Sequence, residues 1–492
     1  MLPSQRPSST SQQSETTPLL AESQDNVPTP EHCGPFTPNQ TRQLLILICV
    51  AILTIDFGSF MSVAPQIEIF ESIICKQHGH GIDALVEDSP CKAADIQGEL
   101  ALLNGWKDTL EQLPGIILAV PYGLMADKVG RKPVMLLCLG GVLLEQFAIA
   151  LISWWSDFIP IRAVLIAPIF LICGGGPQIA TSMAFTMVTD IFPVEKRSSV
   201  FFILAAAALL SEIVATPLSA FLMTWTPWLP YLLGLLFEIA GMSAATCVSE
   251  TRAPDLCENN ADTSQFTAAD TIKPRGWWTC AWDVTRGSAG TIRSILNMNM
   301  VCVALAFTLG GIGRQALQLI IQYASKCFSW SFSRASLVIA LKGIVNLGIL
   351  LIVLPKISNI LVQRLSPVGK DLRISQGSAW ALTLGAALMA IAAHPVPFIF
   401  GTCVFACGWG FYSTLRTVAT ALVEPTHIGV LNTTLAVAQG IGSMVAGPIM
   451  ASAFRRGLVL GNFWVGLPFM VAAALFFGAS CLTHSIRVSM KK

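Results

Sequence analysis

Repeated apolar runs of membrane-spanning length constrain the fold of this chain more than any other feature. One helix of about 20 apolar residues crosses the hydrocarbon core of a bilayer. Only 12% of the residues are charged, about half the usual share in soluble domains. The sequence therefore predicts an all-α membrane protein with twelve transmembrane helices, near residues 43–65, 99–123, 133–152, 163–188, 199–223, 229–248, 299–323, 335–354, 376–394, 397–422, 428–452 and 462–484.

The connections between these runs alternate between many and few basic residues. Cytosolic connections of membrane proteins carry the excess of Lys and Arg. Both ends of the chain are therefore expected in the cytosol, as a disordered tail over 1–41 and a short tail over 485–492. A glycosylation sequon at Asn39 would then be unused. The basic connections hold Lys128, Arg131, Lys132, Lys196, Arg197, Arg252, Lys273, Arg275, Lys356, Arg364, Lys370 and Arg373.

A long polar connection over 251–296 is expected to be a cytosolic loop between two halves of six runs each, 42–250 and 297–484. Each half contains a Pro that follows the exit of one helix and another Pro inside the next helix, at Pro193 and Pro217 and at Pro425 and Pro448. This faint repeat indicates two parallel halves of six helices, although it is short.

Between the second and third runs the chain reads Gly123-Leu-Met-Ala-Asp127-Lys-Val-Gly130-Arg131-Lys132. Gly123 is expected to end the preceding helix, and Gly130 to permit a positive φ in the turn. The segment resembles the signature hairpin of the major facilitator superfamily of secondary transporters, G-x-L-x-D-x-x-G-R-K. The resemblance implies two six-helix bundles with a cavity between them, lined by helices 1, 4, 7 and 10.

The same resemblance implies a gate on the cytosolic side. In the family this hairpin contacts the facing half near the start of helix 11, which assigns Asp127 and Arg131 to the gate. Asp190 and Arg197 match the family's Asp…Pro…Arg pattern after helix 4 and belong to the same gate. Glu250-Thr251-Arg252 is similar to the family's ending of helix 6.

Charged residues inside the apolar runs are candidates for chemistry, because each costs at least about 2.5–3.5 kcal/mol at the bilayer centre. Asp56, Arg314 and Arg416 fall on helices that line the cavity in the family. Asp56 is predicted to bind the coupling proton, and Arg314 to pair with Asp56 or with an anionic group of the substrate. A permanent Asp56–Arg314 ion pair is the alternative. Arg416 either serves the cavity or reaches to the membrane surface.

Other charges are assigned to the interface between the halves. Glu111, Glu212 and Lys342 are predicted to form pairs across it that open and close, with static pairing as the alternative. Glu111 also lies one helical turn after Lys107 and can pair with it within one helix. The charges on the outer helices, Glu145 and Glu238, are not expected to act in transport.

Helix 4 departs from proton-driven members of the family. Such members often carry an Arg before a glycine pair, whereas Arg162 lies near the outer end of this helix. Proton coupling is therefore left open by this comparison. Gly174-Gly175-Gly176 lies within the span and is expected to serve helix packing.

The first external connection, near residues 66–97, is acidic and contains Cys75 and Cys91. This side of the membrane faces an oxidising space, where disulfides persist. A disulfide between these cysteines is predicted, with two free thiols as the alternative.

Several details resemble facilitators of filamentous fungi: Thr-Pro-Leu-Leu in the tail, Pro65 and Cys75 after helix 1, and Gln97-x-Glu99-Leu-Ala at the start of helix 2. Many such proteins export secondary metabolites or drugs. The resemblance implies proton-coupled efflux of a small amphipathic organic molecule by alternating access. A proton-coupled importer of a nutrient or vitamin and a nutrient sensor without transport are the alternatives.

The sequence argues against other classes of function. It has no G-x-x-x-x-G-K-[ST] segment for ATP and no H-E-x-x-H zinc motif. We expect no enzyme activity, cofactor, metal site or nucleic-acid partner, and a monomer in the lipid bilayer. The plasma membrane is the expected location. The vacuolar or endosomal membrane is the alternative, because Glu15-Thr-Thr-Pro-Leu19-Leu20 resembles an acidic dileucine sorting signal.

Overall fold

A computed structural model describes residues 38–79, 90–192, 194–251, 297–423 and 428–487, and these residues form twelve helical spans without any strand. Ten of the spans are long and apolar enough to cross a membrane by length and composition alone. The other two, α2 and α9, pack among them. The spans are α1 Pro38–Gln77, α2 Ala94–Val129, α3 Arg131–Trp154, α4 Ile161–Ile191, α5 Val194–Met223, α6 Trp228–Cys247, α7 Met298–Phe328, α8 Phe332–Val362, α9 Pro367–Ala390, α10 Pro395–Ala421, α11 Ile428–Leu460 and α12 Asn462–Ser485.

The spans form two bundles, and the predicted all-α architecture of two six-helix bundles is confirmed. In the first bundle α1 packs on α5 and α6, and α3 packs on α4 and α6. In the second, α7 packs on α11 and α12, and α9 packs on α10 and α12. The bundles meet where α2 lies against α11 and where α5 lies against α8.

Small residues allow the closest approaches between helices. A Cβ atom on Gly105 of α2 would lie 2.7 Å from the carbonyl oxygen of Gly447 on α11. A Cβ atom on Gly58 of α1 would overlap the backbone of Gly234 on α6. The hydrophobic effect does not drive helices together in lipid, because lipid tails are as apolar as the helix surfaces. Close backbone packing of this kind therefore contributes much of the free energy of helix association.

Several of the predicted helix boundaries are wrong, among them the end of α1 and both ends of α2. Helix α1 continues to Gln77 and α2 begins at Ala94, so the expected external loop over 66–97 is helical at both of its ends. Helix α2 also passes through Gly123 and ends at Val129, because a glycine inside a helix costs only about 1 kcal/mol relative to alanine. The helix stops at Gly130, whose φ of +119° favours glycine.

The glycine triplet Gly174-Gly175-Gly176 interrupts α4. The sequence predicts only that these glycines let neighbouring helices pack closely, and that prediction is incomplete. Residues Ile161–Cys173 form a tight 3₁₀ helix and Pro177–Ile191 an α-helix. Between them Gly175 and Gly176 have φ values of +81° and +79°. Two carbonyl groups freed at the break accept hydrogen bonds from the Tyr122 hydroxyl, at 3.1 Å from Ile172 and 2.6 Å from Cys173.

Three further spans change pitch along their length. Gln315–Leu319 in α7 and Cys407–Gly410 in α10 are 3₁₀ segments, and Ile349–Val353 in α8 is a π-helix. Such changes of pitch are frequent at functional sites. All three segments contribute residues to the cavity between the bundles.

Candidate functional site

A cavity with two connected lobes lies between the bundles, and we call it the central cavity. The larger lobe has a volume of about 1010 Å³ and the smaller about 630 Å³. Both lobes are lined by Phe60, Glu212, Arg314 and Lys342. The larger lobe is mainly apolar and includes the aromatic residues Phe185, Phe201, Phe405, Trp409, Tyr412 and Phe476.

The larger lobe extends to the end of the molecule that carries the Gly130 turn, which we call the hairpin end. Its lining includes Phe201 near the start of α5, Leu354 in the last third of α8 and Thr420 near the end of α10. These helix ends all lie at the hairpin end. The basic-residue count predicts that this end faces the cytosol.

At the opposite end, which carries Cys75 and Cys91 and which we call the disulfide end, the bundles are in contact. The Lys326 ammonium of α7 donates a hydrogen bond to the Lys92 carbonyl at 2.5 Å. The Lys92 ammonium lies 4.0 Å from the ring centroid of Phe332 on α8. Ser333 donates to the Ala220 carbonyl at 2.6 Å. The cavity is therefore covered at the disulfide end and extends to the hairpin end.

One ion pair crosses between the bundles beside the cavity. Lys342 Nζ of α8 lies 2.7 Å from Glu212 Oε1 of α5, and the two side chains are only 14% and 7% exposed. An ammonium and a carboxylate in such a setting compensate each other's cost of burial. The pair joins the two bundles where it borders both lobes of the cavity.

Glu111, predicted to pair across the bundles, instead forms an ion pair with Lys107 on its own helix. Lys107 lies one turn away on the same face of α2, so Glu111 pairs with this nearer cation. Asp108, the residue after Lys107, makes the contact between the bundles, since Asp108 Oδ2 accepts a hydrogen bond from Gln315 of α7 at 2.9 Å.

Two arginines of the second bundle face the cavity against aromatic rings. The guanidinium carbon of Arg314 lies 5.5 Å from the Tyr412 ring centroid, and that of Arg416 lies 5.9 Å from the Phe307 centroid. Within the described ranges, neither arginine has a carboxylate in ion-pair distance. Both arginines line the larger lobe, and the choice between a cavity role for Arg416 and a reach to the membrane surface stays a prediction.

Asp56 lies on α1 one helical turn before Phe60, which lines the cavity. Asp56 and Arg314 are not among the ion pairs of the described residues, which argues against the alternative of a permanent pair, while the pairing of Arg314 with an anionic group of the substrate stays a prediction. The two side chains belong to different bundles, and Arg314 turns toward the aromatic rings of α10. The structure thus brings Arg314 and Arg416 to one cavity but not Asp56.

The hairpin between α2 and α3 is tied to the ends of two other helices. The Glu250 carboxylate accepts hydrogen bonds from the backbone N–H groups of Arg131 and Lys132, at 2.9 and 3.0 Å. A carboxylate at a helix N-terminus is stabilised by the helix dipole. Arg131 Nε lies 3.5 Å from Asp190 Oδ2, and Thr251 donates to the same oxygen at 3.4 Å.

The remaining gate predictions fall outside the described residues. The side chains of Asp127 and Arg197 are not described, and neither is the connection that leads into α11. The assignment of Asp127, Arg131, Asp190 and Arg197 to a gate stays a prediction.

Cys75 and Cys91 are joined in a disulfide at the disulfide end, with their Cα atoms 5.2 Å apart. We expect the peptides that contain them to remain linked in digests of the purified protein until a reductant is added, as measured by mass spectrometry. The buried cysteines Cys138 and Cys302 serve as controls and should be unlinked. Separate Cys75 and Cys91 peptides before reduction would contradict the prediction.

Two residues that the sequence placed on outer helices are buried within the first bundle. Glu145 of α3 is 3% exposed and Glu238 of α6 is 4% exposed. The only signal in the sequence was a charge inside an apolar run. The family's order of helices does not indicate that Glu145 and Glu238 are buried, because it does not say which face of an outer helix turns inward.

Comparisons with known proteins agree with this architecture. A family model described as Major Facilitator Superfamily matches residues 46–447. The efflux pump ustT of Aspergillus flavus is 34% identical over 464 residues, which cover 91% of this chain and 90% of that protein. The MFS efflux pump atnC of Emericella nidulans is 30% identical over 493 residues, which cover 95% and 94%.

Among solved structures, the human organic anion transporter MFSD10 is similar with a TM-score of 0.58 and 16% sequence identity. The match covers 91% of this chain and 100% of that chain. At this level of identity the likeness shows the fold alone.

Proposed function

This chain belongs to the Major Facilitator Superfamily, and from that premise we propose that it exports a small amphipathic organic acid by alternating access, driven by protons. Its fungal relatives ustT and atnC are named efflux pumps. Export of a secondary metabolite agrees with those names. The plasma membrane is the proposed site of action.

The lining of the larger lobe is the observation that carries the substrate class. Aromatic rings from both bundles supply an apolar surface for a hydrophobic body. Arg314 and Arg416 supply two guanidinium groups without carboxylate partners in the described part of the chain. Because guanidinium groups match carboxylates in geometry and charge, an aromatic carboxylate fits both features.

The names of the fungal relatives support the outward direction, and the cavity has an opening that suits entry from the cytosol. The lobe that holds the arginines extends to the hairpin end, which the basic residues predict to be cytosolic. A substrate would enter there, and rocking of the bundles would then open the contacts of Lys326 and Ser333 at the disulfide end.

The experiment uses yeast cells that express the chain and are loaded with either fluorescein, an aromatic carboxylate, or rhodamine 6G, an aromatic cation. We expect faster loss of fluorescein than in cells without the protein, and no such effect on rhodamine 6G. Arg314→Gln should abolish the effect, because it removes the charge that faces the cavity.

Arg162→Gln is the matched control, since Arg162 is exposed at the disulfide end and pairs there with Glu99. It should export fluorescein at the rate of the unmodified protein. Export of rhodamine 6G alone, or of neither dye, would refute the proposed substrate class. Net accumulation of fluorescein in the cells would favour the importer instead.

A further inference from the structure

The first bundle contains a cluster of ionisable side chains deep within the membrane span. Lys107 and Glu111 pair along α2, and Glu145 of α3 lies within hydrogen-bonding reach of Glu111. Glu238 of α6 completes the set and accepts a hydrogen bond from Ser59 of α1 at 3.1 Å. We call Lys107, Glu111, Glu145 and Glu238 the buried acid cluster.

The charges of this cluster do not balance if every group is ionised. Lys107 is the one cation among the described groups that face it, and it is 7% exposed. It stands against three carboxyl groups. The neutral groups around the cluster are Tyr231 of α6 and Gln66 and Ser59 of α1, while Asp108 of α2 turns to Gln315.

Uncompensated carboxylates are expensive in such a setting. Each buried ion without a partner costs several kcal/mol, even after the surroundings relax. Protons bound to the cluster remove that cost. The composition of the site therefore requires protonated carboxyl groups.

The hydrogen-bonding pattern leads to the same requirement. Glu145 Oε1 and Glu238 Oε2 are buried and have no hydrogen-bond partner in the described part of the chain. Ionised carboxylates only accept hydrogen bonds, so Glu111 and Glu145 can bond to each other only through a proton on one of them. Two adjacent carboxyl groups that share one proton are a known arrangement in enzyme active sites.

The cluster is also connected to the central cavity. Glu111 lines the smaller lobe together with Asp108 and Gln112, whereas Glu145 lies behind it. A proton from water in the cavity can reach Glu145 through Glu111. Rows of carboxyl groups inside membrane spans mark proton pathways in transporters.

We infer that Glu111 and Glu145 form the proton-binding site of this transporter, with Glu145 as the buried carrier and Glu111 as its exchange group with the cavity. On release, the proton moves from the Glu145 carboxyl to the Glu111 carboxylate and then to water in the cavity. No electron is transferred. The inference deepens the proposed function by placing the coupling proton here and not on Asp56.

The position of the cluster explains how a proton would affect the bundles. Loss of the Glu145 proton leaves two carboxylates competing for the Lys107 ammonium. The next residues of α2 hold the second bundle: Asp108 accepts from Gln315, and Thr109 donates to the Met444 carbonyl at 2.8 Å. A shift of Lys107 therefore acts on the adjoining contacts between the bundles.

The test measures proton binding directly, without a substrate. Infrared spectra of the purified full-length protein in lipid nanodiscs are recorded in H₂O and in D₂O across a range of pH. We expect a protonated-carboxyl band near neutral pH that Glu145→Gln loses. Glutamine has the shape of a protonated glutamate, so the variant should fold.

Glu99→Gln is the matched control, because Glu99 lies at the disulfide end, 2.8 Å from Arg162 and outside the buried acid cluster, so the band should persist. If Glu145→Gln does not fold, Glu111→Gln gives the same reading, since loss of either partner removes the shared proton. A band that is unchanged in the folded variant or variants would overturn the inference. A band lost only in Asp56→Asn would also overturn it.

A second measurement separates this inference from proton-driven export. Proteoliposomes receive a pH gradient, and the transport of fluorescein is followed in the wild type and in Glu145→Gln. We expect Glu145→Gln to lose gradient-driven transport but to keep exchange of fluorescein across the membrane. If the pH gradient does not drive transport in the wild type but the infrared band depends on Glu145, the proposal of proton-driven export is refuted and the proton-binding site is supported. If the gradient drives transport equally in both proteins, the proton site fails.

Discussion

Replacing Lys342 with alanine is expected to abolish export and to lower the free energy of unfolding by about 3 kcal/mol. The change leaves the Glu212 carboxylate, whose side chain is 7% exposed, without its cation in an apolar setting. The lower end of the usual range for a broken buried pair applies, because the pair borders a cavity and is not enclosed by protein on every side. Thermal unfolding in detergent and fluorescein export in cells measure the two effects.

The charge-reversed double variant, Glu212→Lys with Lys342→Glu, is expected to recover most of the stability. It restores one ammonium and one carboxylate at the same place between α5 and α8. Export should recover in part, because the pair also contributes to the electrostatic field in the cavity that holds Arg314.

Lys76→Ala supplies the control for an ion pair of similar length. Lys76 Nζ lies 2.6 Å from Asp157 Oδ1, but the side chains are 53% and 66% exposed. Exposed pairs contribute about 0–1 kcal/mol, so this change should have little effect. Equal losses in Lys76→Ala and Lys342→Ala would show that burial does not set the strength of the Glu212–Lys342 pair.

The sequence predicts the fold well because the membrane leaves few alternatives. Apolar runs long enough to span a bilayer must be helices that satisfy their own backbone hydrogen bonds. The Gly123–Lys132 hairpin then selects one arrangement of twelve helices. The Glu212–Lys342 pair between the bundles can be predicted from the sequence for a similar reason, because each charge lies within a membrane span and needs a partner.

The sequence does not determine which side of each helix turns inward. In a membrane bundle the lipid-facing surface is as apolar as the packed surface, so the hydrophobic pattern loses its directional signal. The family's order of helices places Glu145 and Glu238 on outer helices without showing that their side chains turn inward, and it permits but does not require Asp56 to lie beside Arg314. Both placements depend on rotations of helices that only packing fixes.

The sequence also does not predict the local backbone conformation of α4. The sequence shows Gly174-Gly175-Gly176, but glycines allow helices to pack closely as readily as they interrupt a helix. The break depends on Tyr122 of α2, whose hydroxyl satisfies the freed carbonyl groups. That contact joins residues about fifty positions apart in the chain, and nothing in the local sequence indicates it.

The two glycines of the hairpin motif are expected to respond in opposite ways to alanine. Gly130→Ala should destabilise the protein by roughly 2–3 kcal/mol, from a strained positive φ and a disturbed helix cap. Its φ is +119°, and the new Cβ atom would lie 2.8 Å from Glu250 Cδ. Gly123→Ala should leave stability unchanged or raise it by up to about 1 kcal/mol, because Gly123 is helical with no atom near its Cβ position.

Unfolding temperatures of the two variants, measured side by side with the wild type in the same detergent, provide the comparison. Glu250→Gln separates the two causes in Gly130→Ala, since it weakens the cap of α3 without straining the backbone. It should lower stability by less than Gly130→Ala does. If Gly123→Ala lowered stability as much as Gly130→Ala, α2 would end at Gly123 as the motif alone predicts, and the continuous helix to Val129 would be wrong.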